Sequence, residues 1–241
     1  FSVGSCVLLG TWVLYTLDRL FDDYRYFNRV PVLDTPLRHQ FHHQHAGRLQ
    51  AVLVLVSLVL LLTWVFAVPR LYDPLAVLGA LFFLGHQLGL RWAWYSWVKD
   101  GVVSVVYMLA LVGPFMILHG RSLLDVQSII MILFYFLLVY FNLQLSALIE
   151  FDFRTQSGRS GLALVLSHSQ LYWLLWLILV ALAFLWSALY VLGAPSMILG
   201  ILGLMALISR RLLTLDWSNT DFHPYGELVF WLPILIVLAY F

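Results

Sequence analysis

The chain contains one cysteine, Cys6, so no internal disulfide can form and no cysteine-based metal motif is available. Charge is scarce: Asp, Glu, Lys and Arg make up 10% of the residues, against about a quarter in a soluble domain. The formal net charge is +1 and no basic run exceeds a doublet, which argues against a nucleic-acid partner. No soluble linker and no low-complexity tract interrupts the apolar stretches, so 1–241 reads as a single transmembrane helical domain. The chain opens at Phe1 with neither Met nor a signal-peptide pattern, and further chain is expected upstream.

Apolar residues, by contrast, make up 63% of the chain, and the mean hydropathy is +0.93. At about 20 apolar residues per span, this length holds roughly eight membrane helices and little else. Long apolar runs between charged or Pro/Gly punctuation fall at roughly 1–20, 49–68, 74–92, 101–119, 126–149, 170–192, 195–213 and 226–241. The fold class expected is all-α, a polytopic transmembrane helical bundle. The sixth and seventh runs meet at Gly193-Ala194-Pro195, which predicts a tight helical hairpin. Aromatic residues reach 16%, enough to furnish interfacial Trp and Tyr belts and to line a cavity.

Arg and Lys divide unequally between alternate loops. Arg19, Arg25, Arg29, Arg38, Arg48, Arg91, Lys99, Arg154, Arg159, Arg210 and Arg211 fall on one side; only Arg70 and Arg121 fall on the other. The positive-inside rule places the loops at 21–48, 91–100, 150–169 and 209–225 in the cytoplasm. Nearly all the carboxylates share that side, and polar groups at a membrane boundary are candidates for function.

Asp18 and Asp22 end the first run. At four residues apart on a helix they share one face, where two anions repel unless a cation lies between them. Oxygen ligands at this spacing suit Mg²⁺, which takes one or two carboxylates together with substrate phosphates. The simpler alternative is a solvated helix end partly neutralised by Arg19. A second acidic pair, Glu150 and Asp152, follows the fifth run, on the same side and beside Arg154 and Arg159. Two such clusters are able to hold two metal ions against a diphosphate while an allylic C–O bond ionises, with Arg91, Lys99, Arg154 and Arg159 on the remaining oxygens. Charge pairing within a loop is the alternative there. The link Arg91-Trp-Ala-Trp-Tyr95-Ser96-Trp-Val-Lys99 taken alone is an interfacial aromatic belt with anchoring cations.

Together these segments resemble the UbiA-type membrane prenyltransferase superfamily. Asp18-Arg19-Leu-Phe-Asp22 is similar to the end of the family's first Asp-rich motif. Tyr95-Ser96 with Lys99 falls where a Tyr-Ser link and a Lys join the family's fourth and fifth helices. Asp152-Phe-Arg154, Gly158 and Gly161–Leu166 occupy the place of its second Asp motif. If the family's first helix precedes Phe1, the eight runs become helices two to nine of a nine-helix bundle, and the resemblance covers the whole chain.

The resemblance implies Mg²⁺-dependent transfer of an isoprenoid chain from a prenyl diphosphate to a lipophilic acceptor within the bilayer. Asp18, Asp22, Glu150 and Asp152 then hold metal, and Arg91, Tyr95, Lys99, Arg154 and Arg159 bind the diphosphate. The family pattern is not complete. Leu14 stands where the first motif has Asn or Asp, and Ser146 and Ala147 stand where the second has an Asp. The Arg-Pro-x-x-x-Gly segment is replaced by Arg29-Val-Pro31-Val-Leu-Asp34-Thr-Pro36-Leu-Arg38. A second expectation therefore stands beside the enzyme: a non-catalytic UbiA-like subunit of a larger membrane complex, holding a pigment, quinone or lipid, or packing against other membrane subunits.

Histidines supply the remaining candidates. His39, His42 and His43, with His45 beyond, have spacings compatible with a transition-metal site or with a solvated, headgroup-facing cap. His86 lies inside an apolar run, where it needs a partner: a hydrogen-bonded core group, a quinone pocket or a porphyrin centre.

Overall fold

The computed structural model describes residues 2–26, 43–89, 98–109, 125–151, 162 and 165–215, and these are helical, with no strand among them. Helix α1 spans Ser2–Tyr26, α2 Ala46–Ala67, α3 Asp73–Gly89, α4 residues 98–109, α5 Val126–Ile149, α6 His168–Val191 and α7 Ser196–Thr214. A 3₁₀ turn at Arg70–Tyr72 joins α2 to α3. Of these, α2, α5 and α6 are long and apolar enough to cross a membrane. Helix α2 is apolar on every side and, of its residues, only Leu53 is buried. That pattern belongs to a helix whose neighbours are lipid tails rather than water.

At α1 and α6 the helix boundaries depart from the apolar runs for identifiable reasons. The first run was expected to end near residue 20, yet α1 continues to Tyr26 and carries Asp22 and Asp23 as helical residues. Charge ends an apolar run without breaking a helix, and no Gly or Pro lies between Leu20 and Tyr26. At α6 the start is set by chemistry rather than hydropathy. The Ser167 hydroxyl accepts from the Gln170 N–H at 3.3 Å, and the Gln170 side chain accepts from the Ser167 N–H at 2.9 Å, closing a capping box. Asp125 caps α5 by accepting from the Ser128 N–H at 3.2 Å. The run at 226–241 lies outside the described residues.

The main core is formed by α5, α6 and α7. Phe134, Leu138, Phe141 and Leu145 of α5 pack with Leu171, Leu175, Leu182 and Leu189 of α6, and α7 adds Ile198, Leu202 and Met205. The expected hairpin is present. Gly193 closes it at φ 72°, a left-handed conformation that glycine adopts without a Cβ clash. Across it, the Trp186 indole N–H donates to the Leu199 carbonyl at 2.9 Å and lies over Gly203. A smaller core joins α1 to α2 through Cys6, Val68 and Tyr72, against Leu60 and Trp64. There the Trp64 indole N–H donates to Asp73 Oδ1 at 2.8 Å, tying the end of α2 to the first turn of α3.

Candidate functional site

Asp18 lies near the C-terminal end of α1 and His86 near the C-terminal end of α3. The buried His86 places its Nε2 3.6 Å from Asp18 Oδ1, with His86 itself 7% exposed. The pairing brings the same ends of α1 and α3 together, as it must if the intervening α2 runs the opposite way. It also answers what a polar side chain in the apolar run of α3 is doing: His86 has a carboxylate partner.

An apolar cavity of about 280 Å³ opens beside this pair, lined by Leu78, Leu81, Phe82, Gly85 and His86 of α3 and by Val102 of α4. From Leu78 to His86 it follows α3 for about 12 Å at the helical rise. Gly85 has open space where a Cβ would stand, so its lack of a side chain widens the cavity beside His86. The lining is almost wholly apolar; His86 is its one titratable residue, and Asp18 stands behind it as the partner of the imidazole.

From Val102 the polar groups continue across the bundle. Asp100, in the first turns of α4, is 4% exposed, and its Oδ2 accepts from Gln144 Nε2 of α5 at 2.9 Å. Gln144 is fully buried, and its amide oxygen finds no hydrogen-bond partner among the described residues. Ser104 donates to the Asp100 carbonyl at 2.8 Å. A buried carboxylate is costly unless hydrogen-bonded, and this charge-assisted bond fixes α4 against α5. Further along α5, Glu150 forms the C-cap with its side chain 5% exposed, and its N–H donates to the Ser146 carbonyl at 3.0 Å. A buried carboxylate at the negative end of a helix dipole calls for positive charge nearby.

Among the expected site residues, Asp18 is half-buried beside the cavity, Lys99 is half-buried next to Asp100, and Glu150 is buried at the end of α5. Asp22 occupies the position one turn beyond Asp18 on α1. Arg91, Tyr95, Asp152, Arg154 and Arg159 lie outside the described residues, as do His39 and His42. His43 is exposed, and His45 forms the N-cap of α2. Among the described residues no three His, Cys, Asp or Glu side chains gather into one metal-binding group.

Sequence reasoning missed the Asp100–Gln144 pair. The available signal was Gln144 itself, an amide in the last third of a 24-residue apolar helix, where a polar side chain needs a partner on another segment.

Asp18 and Glu150 each supply carboxylate oxygens, the donor type a divalent cation takes, and His86 stands beside Asp18. The chain matches no protein-family model, no curated protein and no solved structure.

Proposed function

We propose that this is a multi-pass membrane prenyltransferase of the UbiA type. Its reaction moves an isoprenoid chain from a prenyl diphosphate to a lipophilic acceptor, with the acidic ends of the helices facing the cytoplasm. The observation that carries this reading is the junction of an apolar cavity with the Asp18–His86 pair. An amphiphile with a long hydrocarbon tail and a strongly anionic head needs a site divided in that way.

The tail occupies the cavity along α3, and its head lies at the end marked by His86 and Asp18. Asp18 with Asp22, and Glu150 with Asp152, would hold Mg²⁺, which would supply charge neutralisation of the diphosphate. Lys99 with Arg91, Tyr95, Arg154 and Arg159 binds its remaining oxygens. The allylic C–O bond breaks with its electron pair leaving on the diphosphate. The acceptor forms the new bond to the allylic carbon and releases a proton. The apolar walls of Leu81, Phe82 and Val102 keep water from capturing the allylic cation.

The test is replacement of Asp22 by Asn in purified protein supplied with farnesyl or geranylgeranyl diphosphate and lipophilic acceptors. Turnover by the parent and none by the variant supports the reading; undiminished turnover by the variant refutes it.

A second reading, a non-catalytic UbiA-like subunit of a membrane complex, is favoured by one observation. Ser146 and Ala147, where the resemblance expects a carboxylate, are buried in α5. Its signature is stoichiometric co-purification with other membrane subunits, with a bound pigment, quinone or lipid, and no diphosphate binding.

A further inference from the structure

We infer that Asp100 and Gln144 are positioning residues for the α3 cavity. The bond between them holds α4 where Val102 closes that cavity, and so sets how much of the affinity for a prenyl diphosphate comes from its hydrocarbon tail. The identity of the ligand rests on the proposed function; the role of the pair goes beyond it.

Helix α4 has two distinct faces. Asp100 and Ser104 are buried, and Tyr107 and Met108 pack against the main core. At spacings of four, three and four these residues share one side of a helix, and through Gln144 that side is bonded to α5. Val102 stands about 200° round the helix from Asp100 and about 3 Å along it. It lines the cavity, whose other lining residues all belong to α3. Helix α4 is therefore the partition between the cavity and the core of α5, α6 and α7.

Such a partition needs a directional attachment. Apolar contact is non-directional and leaves one helix free to slide on another, and in lipid the acyl chains compete for the same surface. The Asp100 carboxylate supplies direction. Its Oδ2 accepts from Gln144 Nε2 at 2.9 Å, and Ser104 donates to the Asp100 carbonyl at 2.8 Å one turn further on. A charge-assisted bond of this length is strong and tolerates little displacement. The attachment lies within one helical turn of Val102, so a shift at Asp100 reaches the wall almost undiminished.

The tail of the ligand feels that shift. A wall that retreats by about 0.5–1 Å forfeits a quarter to a half of the attraction in each of its contacts. No hydrogen bond to the tail exists to replace them, because hydrocarbon offers none.

The test uses the full chain in lipid nanodiscs with Mg²⁺ at fixed pH. It measures affinity for a non-hydrolysable farnesyl diphosphate analogue and for inorganic pyrophosphate, which has no tail. The ratio of the two isolates the tail, since a change at the head alters both alike. Gln144→Leu should lower that ratio about tenfold, the product of many weakened contacts. Asp100→Asn, which still accepts from the Gln144 amide, should keep it within about threefold of the parent. Asp100→Leu combined with Gln144→Leu separates positioning from stability: most of the stability should return, while the ratio stays low. A parent that binds neither compound, or binds both equally, overturns the proposed function and the inference together. Tail-dependent binding in the parent with an unchanged ratio in Gln144→Leu overturns the inference alone. So does a double variant that recovers the parental ratio, because apolar packing would then place α4 unaided. If Gln144→Leu fails to fold, the double variant makes the same comparison.

Discussion

Replacing Gln144 by Leu should lower the unfolding temperature by roughly 4–12 °C. Gln144 donates to Asp100 at 2.9 Å, and both side chains are almost wholly withdrawn from solvent. Leu has similar bulk but no donor, so the variant leaves a carboxylate in an apolar surrounding with its hydrogen bond removed. A bond to a charged group contributes about 1.5–3 kcal/mol, and the orphaned partner adds its own desolvation cost. Taking ~2–3 kcal/mol overall, a chain of this size loses about 2–4 °C per kcal/mol. Removing both partners together, as Asp100→Leu with Gln144→Leu, takes away the buried charge along with the bond and should recover most of the loss. Asp100→Asn keeps an amide–amide bond and should fall between the parent and Gln144→Leu. The assay is thermal unfolding in micelles, followed by tryptophan emission at one protein concentration. A Gln144→Leu variant within about 1 °C of the parent would refute the reasoning. So would a double variant whose loss equals the sum of the single ones, because the two side chains would then not be coupled.

Other consequences are local. Trp64→Phe removes the indole donor to Asp73 and should cost about 1–2 kcal/mol, read as earlier unfolding and as faster proteolysis at the 3₁₀ turn. Gly193→Val forces a β-branched residue to φ 72°; it should destabilise the α6–α7 hairpin by at least ~1 kcal/mol, and Gly193→Asn by less. At Gly203 a Cβ would stand 3.1 Å from Trp186 Nε1. Gly203→Leu should therefore displace the indole from the Leu199 carbonyl, visible as a red shift in Trp186 emission and a loss of about 1–3 kcal/mol.

The helices were readable where composition alone decides them. The run at 126–149 and the hairpin at Gly193 agree with α5 and the α6–α7 turn because apolar length and a Gly-Ala-Pro turn are local properties. The end of α1 was misjudged because charge ends an apolar run without ending a helix: the backbone bonds continue through Asp22 and Asp23. Of the site, Asp18 and Glu150 were visible as carboxylates at the ends of apolar runs. Their surroundings were not. His86 meets Asp18, and Gln144 meets Asp100, across intervals that only the packing of helices closes, and no spacing rule reaches that far. The need of His86 for a partner was legible from its apolar neighbours; the identity of that partner was not.

The central claim is that the His86 end of the α3 cavity holds the head of a prenyl diphosphate. Its most direct test is binding of a non-hydrolysable geranylgeranyl diphosphate analogue to the purified protein, with and without divalent ion, alongside Asp22→Asn and Phe82→Trp. The account predicts that binding requires the ion and is lost in Asp22→Asn. It further predicts that Phe82→Trp, which narrows the cavity, weakens the long-chain analogue at least tenfold while sparing a dimethylallyl one. Binding that ignores both the ion and Asp22, or that treats long and short chains alike in Phe82→Trp, would contradict it.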